Sequence, residues 1–160
     1  MSITAITESN WADILELQQG VYLQVAPESL DVLKSKWLTS PESCLVLYEE
    51  GMLMGYLLAH SWNQEMPPKL FKPLPENCKG STLFVHDLAV HKNSTGKGIG
   101  KKLITHLTKI AKLNGYQQIM LVAVQGSTEF WLKQEFMSVN QEVSECYGEN
   151  AQFMLMSVGD

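Results

Sequence analysis

The chain lacks long apolar runs, paired cysteines and an excess of positive charge. No apolar stretch approaches the ~20 residues of a transmembrane helix, so we expect no membrane association. Its three cysteines, Cys44, Cys78 and Cys146, are odd in number and widely separated. This spacing argues against a disulfide framework and predicts a reducing, cytoplasmic environment. The formal net charge of -5 disfavours nucleic acid as a partner.

Metal-binding and export signals are also missing from the sequence. The four histidines do not combine with the cysteines at zinc-site spacings, so we expect no metal. The first ten residues show no basic segment followed by an apolar one, and no signal peptide is predicted. The chain has 160 residues, of which 45% are hydrophobic. This size and composition suit one globular unit, and we expect residues 1–160 to form a single domain.

Apolar periodicity and turn residues predict the element order β-α-α-β-β-β-α-β-α-β-β, a mixed sheet with helices packed on it. The predicted strands are residues 2–7, 43–49, 52–62, 82–90, 118–124, 136–143 and 152–158. Two helices are expected to begin at the N-cap residues Ser9 and Ser29, and two more to cover residues 98–114 and 127–134. Residues 63–80 contain four prolines and form a predicted proline-rich loop. Such a loop is either functional or a tolerated surface insertion.

The most informative stretch is a glycine-rich turn between the strand 82–90 and the helix 98–114. It reads Gly96-Lys97-Gly98-Ile99-Gly100-Lys101. The first amides of a helix have no internal partner, and the helix dipole makes that end positive, which favours an anion such as a pyrophosphate. Alternate glycines let the backbone approach the phosphates closely. The alternative interpretation is a glycine-rich turn that holds no ligand.

Two common phosphate-binding patterns do not fit this turn. The dinucleotide fingerprint G-x-G-x-x-G requires a glycine at Lys101. The triphosphate loop G-x-x-x-x-G-K-[ST] requires a glycine at Thr95 and a hydroxyl at Lys102. Both mismatches disfavour a nucleotide-binding module.

The alternate glycines, after a strand that ends Leu88-Ala89-Val90, resemble the acetyl-CoA motif of the GNAT family of N-acetyltransferases. Thr95 stands where that family usually has arginine or glutamine. The stretch from Phe130 to Phe136 is similar to a later family segment, with Trp131 in place of a tyrosine. The order of the predicted elements agrees with the family over nearly the whole chain.

The resemblance implies an α/β (α+β) fold with a mixed, mostly antiparallel sheet of about seven strands and about four flanking helices. A splayed parallel pair, here residues 82–90 and 118–124, would hold acetyl-CoA. The cofactor-binding residues that the resemblance implies are Leu88, Ala89, Val90, Thr95, Gly96, Lys97, Gly98, Ile99, Gly100, Lys101 and Trp131.

The implied activity is acetyl-CoA-dependent transfer of an acetyl group to a primary amine of a small molecule or peptide, by direct attack in a ternary complex. The amine must be deprotonated first, and His86, where many family members have glutamate, is the first candidate for the general base. Strand alternation predicts His86 and Asp87 on opposite faces unless a bulge intervenes. The alternative for His86 is a satisfied core residue.

The family's usual proton donor to the thiolate is the tyrosine that Trp131 replaces, and Tyr147 is a substitute candidate for that role. Packing against the sheet is the other interpretation of Tyr147. The missing tyrosine leaves a second function open, a non-catalytic acyl-CoA-binding regulatory domain. The family includes enzymes for many amines, so the resemblance does not choose the acceptor. Dimers are common in the family, and a homodimer is compatible with the resemblance.

Overall fold

A computed structural model describes residues 2–21, 28–94, 96–124, 126–141, 143–148 and 150–159. Seven strands form one sheet: β1 (Ser2–Ala5), β2 (Leu45–Glu49), β3 (Met52–Trp62), β4 (Thr82–Val90), β5 (Gln118–Ala123), β6 (Met137–Ser138) and β7 (Gln152–Ser157). Their spatial order is β1-β2-β3-β4-β5-β7-β6. All neighbouring pairs are antiparallel except β4 and β5, which run parallel. The predicted mixed, mostly antiparallel sheet is confirmed.

Four α-helices flank the sheet: α1 (Trp11–Val21), α2 (Leu30–Thr39), α3 (Ile99–Leu113) and α4 (Thr128–Lys133). Helix α2 begins as predicted, since the Ser29 hydroxyl oxygen accepts the amide of Val32 at 3.3 Å. The predicted cap of α1 is wrong. The Thr7 amide donates to Asn10 Oδ1 at 2.8 Å, which starts a 3₁₀ turn that contains Ser9.

The core has two main layers, one on each face of the sheet. Helix α3 lies on one face and buries a stripe of apolar side chains spaced by four residues, as its sequence predicts: Ile99, Leu103, Leu107 and Ala111. Helices α1 and α2 cover the opposite face, where Trp11, Ile14 and Leu33 pack against Tyr56 and Leu58 of β3. Burying each such side chain contributes about 1.5–3 kcal/mol to folding. The sheet is therefore held between helices on both sides.

The segment after α4 departs from the prediction, because the strand expected over residues 136–143 forms only at Met137–Ser138. The amide of Gln141 donates to the carbonyl of Val139 at 3.0 Å, which closes a tight turn and ends the strand. Val139 and Val143 both pack against one apolar cluster that includes Phe84 and Phe153. Their apolar pattern thus reflects a turn packed on the sheet, not a longer strand. Among the helices of the described residues, none is both long and apolar enough to span a membrane.

Candidate active site

The two parallel strands separate partway along their length. Strands β4 and β5 are paired from Thr82 with Gln118 to Val85 with Leu121, and no later pair is found in the described part of the chain. Beyond this point β4 stays paired with β3 and β5 with β7. The gap between them opens into a cavity of about 320 Å³, the size of a small ligand site. Its walls include Val85, His86, Leu88, Val90, Leu121, Phe130 and Trp131.

The glycine-rich turn that leads into α3 has the backbone shape that glycine permits. Gly96 has φ of 87° and Gly98, the N-cap residue, has φ of 73°. A Cβ at either position would meet no heavy atom within 4 Å, so the space beside the turn is open. No side chain of the described residues caps the helix. Thr95, a predicted contact of the cofactor, lies outside the described residues.

The first amides of α3 remain available to a ligand. The amide of Lys102 donates to the Gly98 carbonyl at 3.0 Å, while those of residues 99–101 find no acceptor among the residues that the structure describes. Gly100 packs against the cavity wall, since a Cβ there would lie 2.9 Å from Cζ of Phe130. Three amides without an acceptor among the described residues, the positive end of a 15-residue helix and a ligand-sized cavity therefore lie side by side.

A β-bulge sets the direction of the side chains at the centre of β4. Asp87 pairs with Leu58 and Val85 with Ala59, so His86 is the extra residue in the ladder. This is the exception that the prediction of opposite faces allowed for. Asp87 accepts a hydrogen bond from the hydroxyl of Tyr56 at 2.5 Å, on the face that α1 and α2 cover. His86 bonds to Glu28, which precedes Ser29, the N-cap residue of α2. The side chains of His86 and Asp87 therefore lie on the same face of the sheet.

His86 and Glu28 form a buried pair. Their side chains are 2% and 10% exposed, and Nε2 of His86 lies against Oε1 of Glu28. The other carboxylate oxygen, Oε2, accepts the amide of Phe71 at 2.8 Å. Burial raises the pKa of Glu28, but the hydrogen bond and charge of His86 and the Phe71 amide outweigh it, so the pKa lies below its ordinary value. Nδ1 of His86 is buried and has no hydrogen-bond partner among the described residues.

Two more buried polar side chains surround this pair. Lys36 of α2 is fully buried, and its Nζ lies 3.5 Å from the carbonyl oxygen of Lys72. Burial lowers the pKa of Lys36, and the charge of Glu28 opposes that shift only in part. His60 of β3 is also fully buried, with Nδ1 2.9 Å from the Ser61 carbonyl oxygen. Burial lowers the pKa of His60 to about 3, so this imidazole is neutral.

The proline-rich loop covers the polar cluster through its backbone. The Phe71 amide and the Lys72 carbonyl contact Glu28 and Lys36, as described above, and the hydroxyl of Tyr147 donates to the carbonyl of Pro68. Tyr147 ends a 3₁₀ turn, and burial and nearby negative charge raise its pKa. These contacts favour a functional loop over a surface insertion. Within the described ranges, no group of three or more histidine, cysteine or acidic side chains is placed to hold a metal ion.

The model of the acetyltransferase (GNAT) family matches residues 11–136. The chain belongs to this family. No curated protein matches the sequence.

Solved structures with the GNAT fold superpose on nearly the whole chain. GphF, a GNAT-like decarboxylase in complex with isobutyryl-CoA, has a TM-score of 0.80 at 14% identity, over 99% of this chain and 100% of that one. An aminoglycoside 6'-N-acetyltransferase complexed with coenzyme A has a TM-score of 0.73 at 13% identity, over 100% and 98%. The ribosomal-protein-S18-alanine N-acetyltransferase from Escherichia coli has a TM-score of 0.72 at 13% identity, over 99% and 94%. At these identities the likeness establishes a shared fold.

The predicted residues of this GNAT protein fall into three groups in space. His86, Leu88, Val90 and Trp131 line the cavity between β4 and β5, and Gly100 at the start of α3 packs against its wall. Ala89 does not line the cavity; it is buried against α1 and α2, on the face of β4 that also carries His86. Trp131 is only 7% exposed and packs its ring against Phe130 and Phe136, with centroids 5.0 Å and 5.3 Å apart. Tyr147 is not among the residues that line this cavity.

Sequence reasoning missed Glu28 and Lys36. Glu28 stands just before the N-cap Ser29, a position typical of acidic residues at any helix start, so nothing in the sequence singles it out. Lys36 did leave a signal. It lies three and four residues after the buried Leu33 and Val32, which places a cation on the apolar face of α2. A charged residue on such a face is buried only when it is paired, which is a reason to search for a partner.

Proposed function

We propose that the protein is an acetyl-CoA-dependent N-acetyltransferase that moves an acetyl group to a primary amine of a small molecule or a peptide. The observation that carries this proposal is the gap between β4 and β5 directly beside the uncapped start of α3. Membership of the acetyltransferase family supports it. So does the coenzyme A bound by one protein of the same fold.

The cofactor would lie along the gap with its diphosphate at the start of α3. The amides of residues 99–101 supply hydrogen bonds that are worth about 1.5–3 kcal/mol each with a charged acceptor. The helix dipole adds only about 0.3–1 kcal/mol at an exposed end, so the amides dominate. The pantetheine arm would follow the edge of β4 from Leu88 to Val90, between this strand and the wall formed by Phe130 and Trp131. This arrangement brings the thioester toward His86.

In the reaction, the amine nitrogen attacks the thioester carbonyl. A nitrogen–carbon bond forms, the carbon–sulfur bond breaks, and coenzyme A leaves as a thiolate. His86 would take the proton that the amine must lose, a contribution of about 10²–10⁴-fold. The Trp131 indole N–H can donate a hydrogen bond but is not a practical acid. Tyr147 is the candidate proton donor to the thiolate, although a thiolate with a pKa near ~8.5 can also leave without one.

A non-catalytic acyl-CoA-binding domain is the second candidate function. Two observations favour it. Trp131 stands where the family usually has its acidic tyrosine, and the hydroxyl proton of Tyr147 is engaged by the Pro68 carbonyl. The shared fold with a decarboxylase bound to isobutyryl-CoA shows that acyl-CoA binding in this fold does not by itself imply transfer to an amine.

Thiol release separates the two functions. The wild type is incubated with acetyl-CoA and a panel of amino acids, polyamines, aminoglycosides and peptides, and products are identified by mass spectrometry. We expect acetylated amine in step with free thiol, and a loss of about 10²–10⁴-fold in turnover for His86→Ala with cofactor binding retained. Binding of acetyl-CoA without turnover across the panel would support the regulatory domain. Absence of binding would refute both.

A further inference from the structure

We propose that Glu28 is the positioning residue of His86, and that it makes Nδ1 the ring nitrogen that accepts the proton of the incoming amine. Glu28 holds the other nitrogen, Nε2, in a hydrogen bond. This inference rests on the proposed acetyl transfer and adds to it a second residue that acts through the base.

The choice of nitrogen follows from the partner of the ring. A neutral imidazole carries one N–H donor and one lone pair, whereas an ionised carboxylate can only accept hydrogen bonds. The nitrogen that faces Glu28, Nε2, must therefore carry the hydrogen. The lone pair is left on Nδ1, which is buried and unpartnered among the residues described. A buried acceptor without a partner is unfavourable, and a proton from the substrate amine would satisfy it.

The carboxylate of Glu28 is itself held in place on two sides. Its Oε2 accepts the amide of Phe71 at 2.8 Å, and its backbone directly precedes the N-cap Ser29 of α2. The start of a helix stabilises negative charge. Burial raises the pKa of Glu28, but His86, the Phe71 amide and Lys36 together bring it below its ordinary value, so the group is anionic at neutral pH. Glu28 thus offers His86 a fixed negative charge.

The groups around His86 make this charge important. Lys36 of α2 is buried and its pKa is lowered by that burial, and His60 of β3 is neutral. Asp87 is bonded to Tyr56, and Tyr147 keeps its proton because its pKa is raised. The carboxylate of Glu28 directly contacts the imidazole ring. When His86 takes the proton of the amine, the new imidazolium forms against this carboxylate.

The tautomer can be measured without any acetyl transfer. Long-range proton–nitrogen spectra of histidine-labelled protein distinguish an N–H nitrogen from one with a lone pair. We expect neutral His86 to carry its hydrogen on Nε2 in the wild type and to lose this preference in Glu28→Ala. A hydrogen on Nδ1 in the wild type, or an identical spectrum in Glu28→Ala, would overturn the proposal. This result stands whether or not the protein turns over acetyl-CoA.

Kinetics then test whether the pair matters to the reaction. Glu28→Gln keeps the size of the side chain and removes its charge, and Glu42→Gln is the matched control at an exposed position. We expect Glu28→Gln to lower kcat about 10–100-fold, less than loss of the base itself, with the KM for acetyl-CoA unchanged. Its pH–rate profile should differ in shape from that of the wild type, because the ring no longer faces an anion.

A merely structural role for Glu28 would give a different pattern. Turnover would then fall together with thermal stability, and the pH–rate profile would keep its shape, which would refute the proposal. Equal kcat in Glu28→Gln and the wild type would also refute it. If Glu28→Ala does not fold, the spectra of Glu28→Gln replace it, because the amide can present either a donor or an acceptor to Nε2 and no longer fixes the tautomer.

Discussion

Alanine substitutions at the two ends of α3 would separate backbone strain from loss of the cofactor site. Gly98 begins the helix with φ of 73°, and Gly115 follows its end with φ of 76°. A Cβ would meet nothing within 4 Å at either position, and both residues are exposed. Gly98→Ala and Gly115→Ala therefore impose the same strain on the same helix. Only the first places a methyl group beside the amides that we assign to the diphosphate.

The two effects have different magnitudes. A left-handed backbone costs a non-glycine residue about 1–2 kcal/mol, which lowers the Tm of a protein of this size by about 2–8 °C. We expect both variants to show this shift. A methyl group that keeps the diphosphate from one charge-assisted amide would remove a further ~1.5–3 kcal/mol of binding. This loss corresponds to a roughly 10- to 150-fold increase in the Kd of Gly98→Ala for coenzyme A.

Calorimetric titration with coenzyme A and thermal melts followed by circular dichroism measure the two quantities separately. Gly115→Ala should melt earlier than the wild type and bind coenzyme A with an unchanged Kd. The reasoning is refuted if Gly98→Ala shows the lower Tm but binds as tightly as the wild type. It is refuted equally if Gly115→Ala loses as much affinity as Gly98→Ala.

Three other predictions test the core, the buried imidazole and the thiols. Leu103→Ala should lower the free energy of unfolding in urea by about 2–5 kcal/mol. Leu113→Ala, at a side chain that is 87% exposed, should change it by no more than about 0.5 kcal/mol. Similar losses in the two variants would contradict the assigned face of α3. Burial lowers the pKa of His60 from 6.5 to about 3, so only the unfolded chain takes up this proton on acidification. The free energy of unfolding should therefore fall by about 2 kcal/mol through this group between pH 7 and pH 5. His60→Gln should show a smaller fall than the wild type when urea unfolding is measured at the two pH values. An equal fall in the variant and the wild type would contradict the prediction. Cys146 is exposed, while Cys44 is fully buried and burial raises its pKa to about 12. A thiol reagent at pH 8 should therefore modify Cys146 before Cys44, as followed by mass spectrometry. Equal rates of modification would contradict the prediction.

Local signals in the sequence predicted most of the fold. The apolar stripe and the flanking glycine of α3, the cap at Ser29 and the strand 82–90 each depend on neighbouring residues, so they could be recognised without the fold. The shortness of strand β6 could not be predicted, because Val139 and Val143 are apolar residues that pack on the sheet from a turn. Pattern alone does not distinguish that arrangement from a strand.

The geometry of the candidate site was only partly predictable. The glycine-rich turn is local, and its chemistry follows from the start of a helix. The pairing of His86 with Glu28 joins residues far apart in sequence and depends on the bulge in β4. A bulge arises from the registers of two strands and leaves no reliable mark on one of them. The face on which His86 lies could therefore be stated only as two alternatives.

The central claim is that coenzyme A occupies the gap between β4 and β5 with its diphosphate on the first amides of α3. A crystal structure of the protein soaked with coenzyme A tests it most directly. The account predicts the diphosphate within hydrogen-bonding distance of the amides of residues 99–101, and the pantetheine sulfur in the cavity that His86 and Trp131 line. Coenzyme A bound elsewhere, or a gap that stays closed at saturating cofactor, would contradict it.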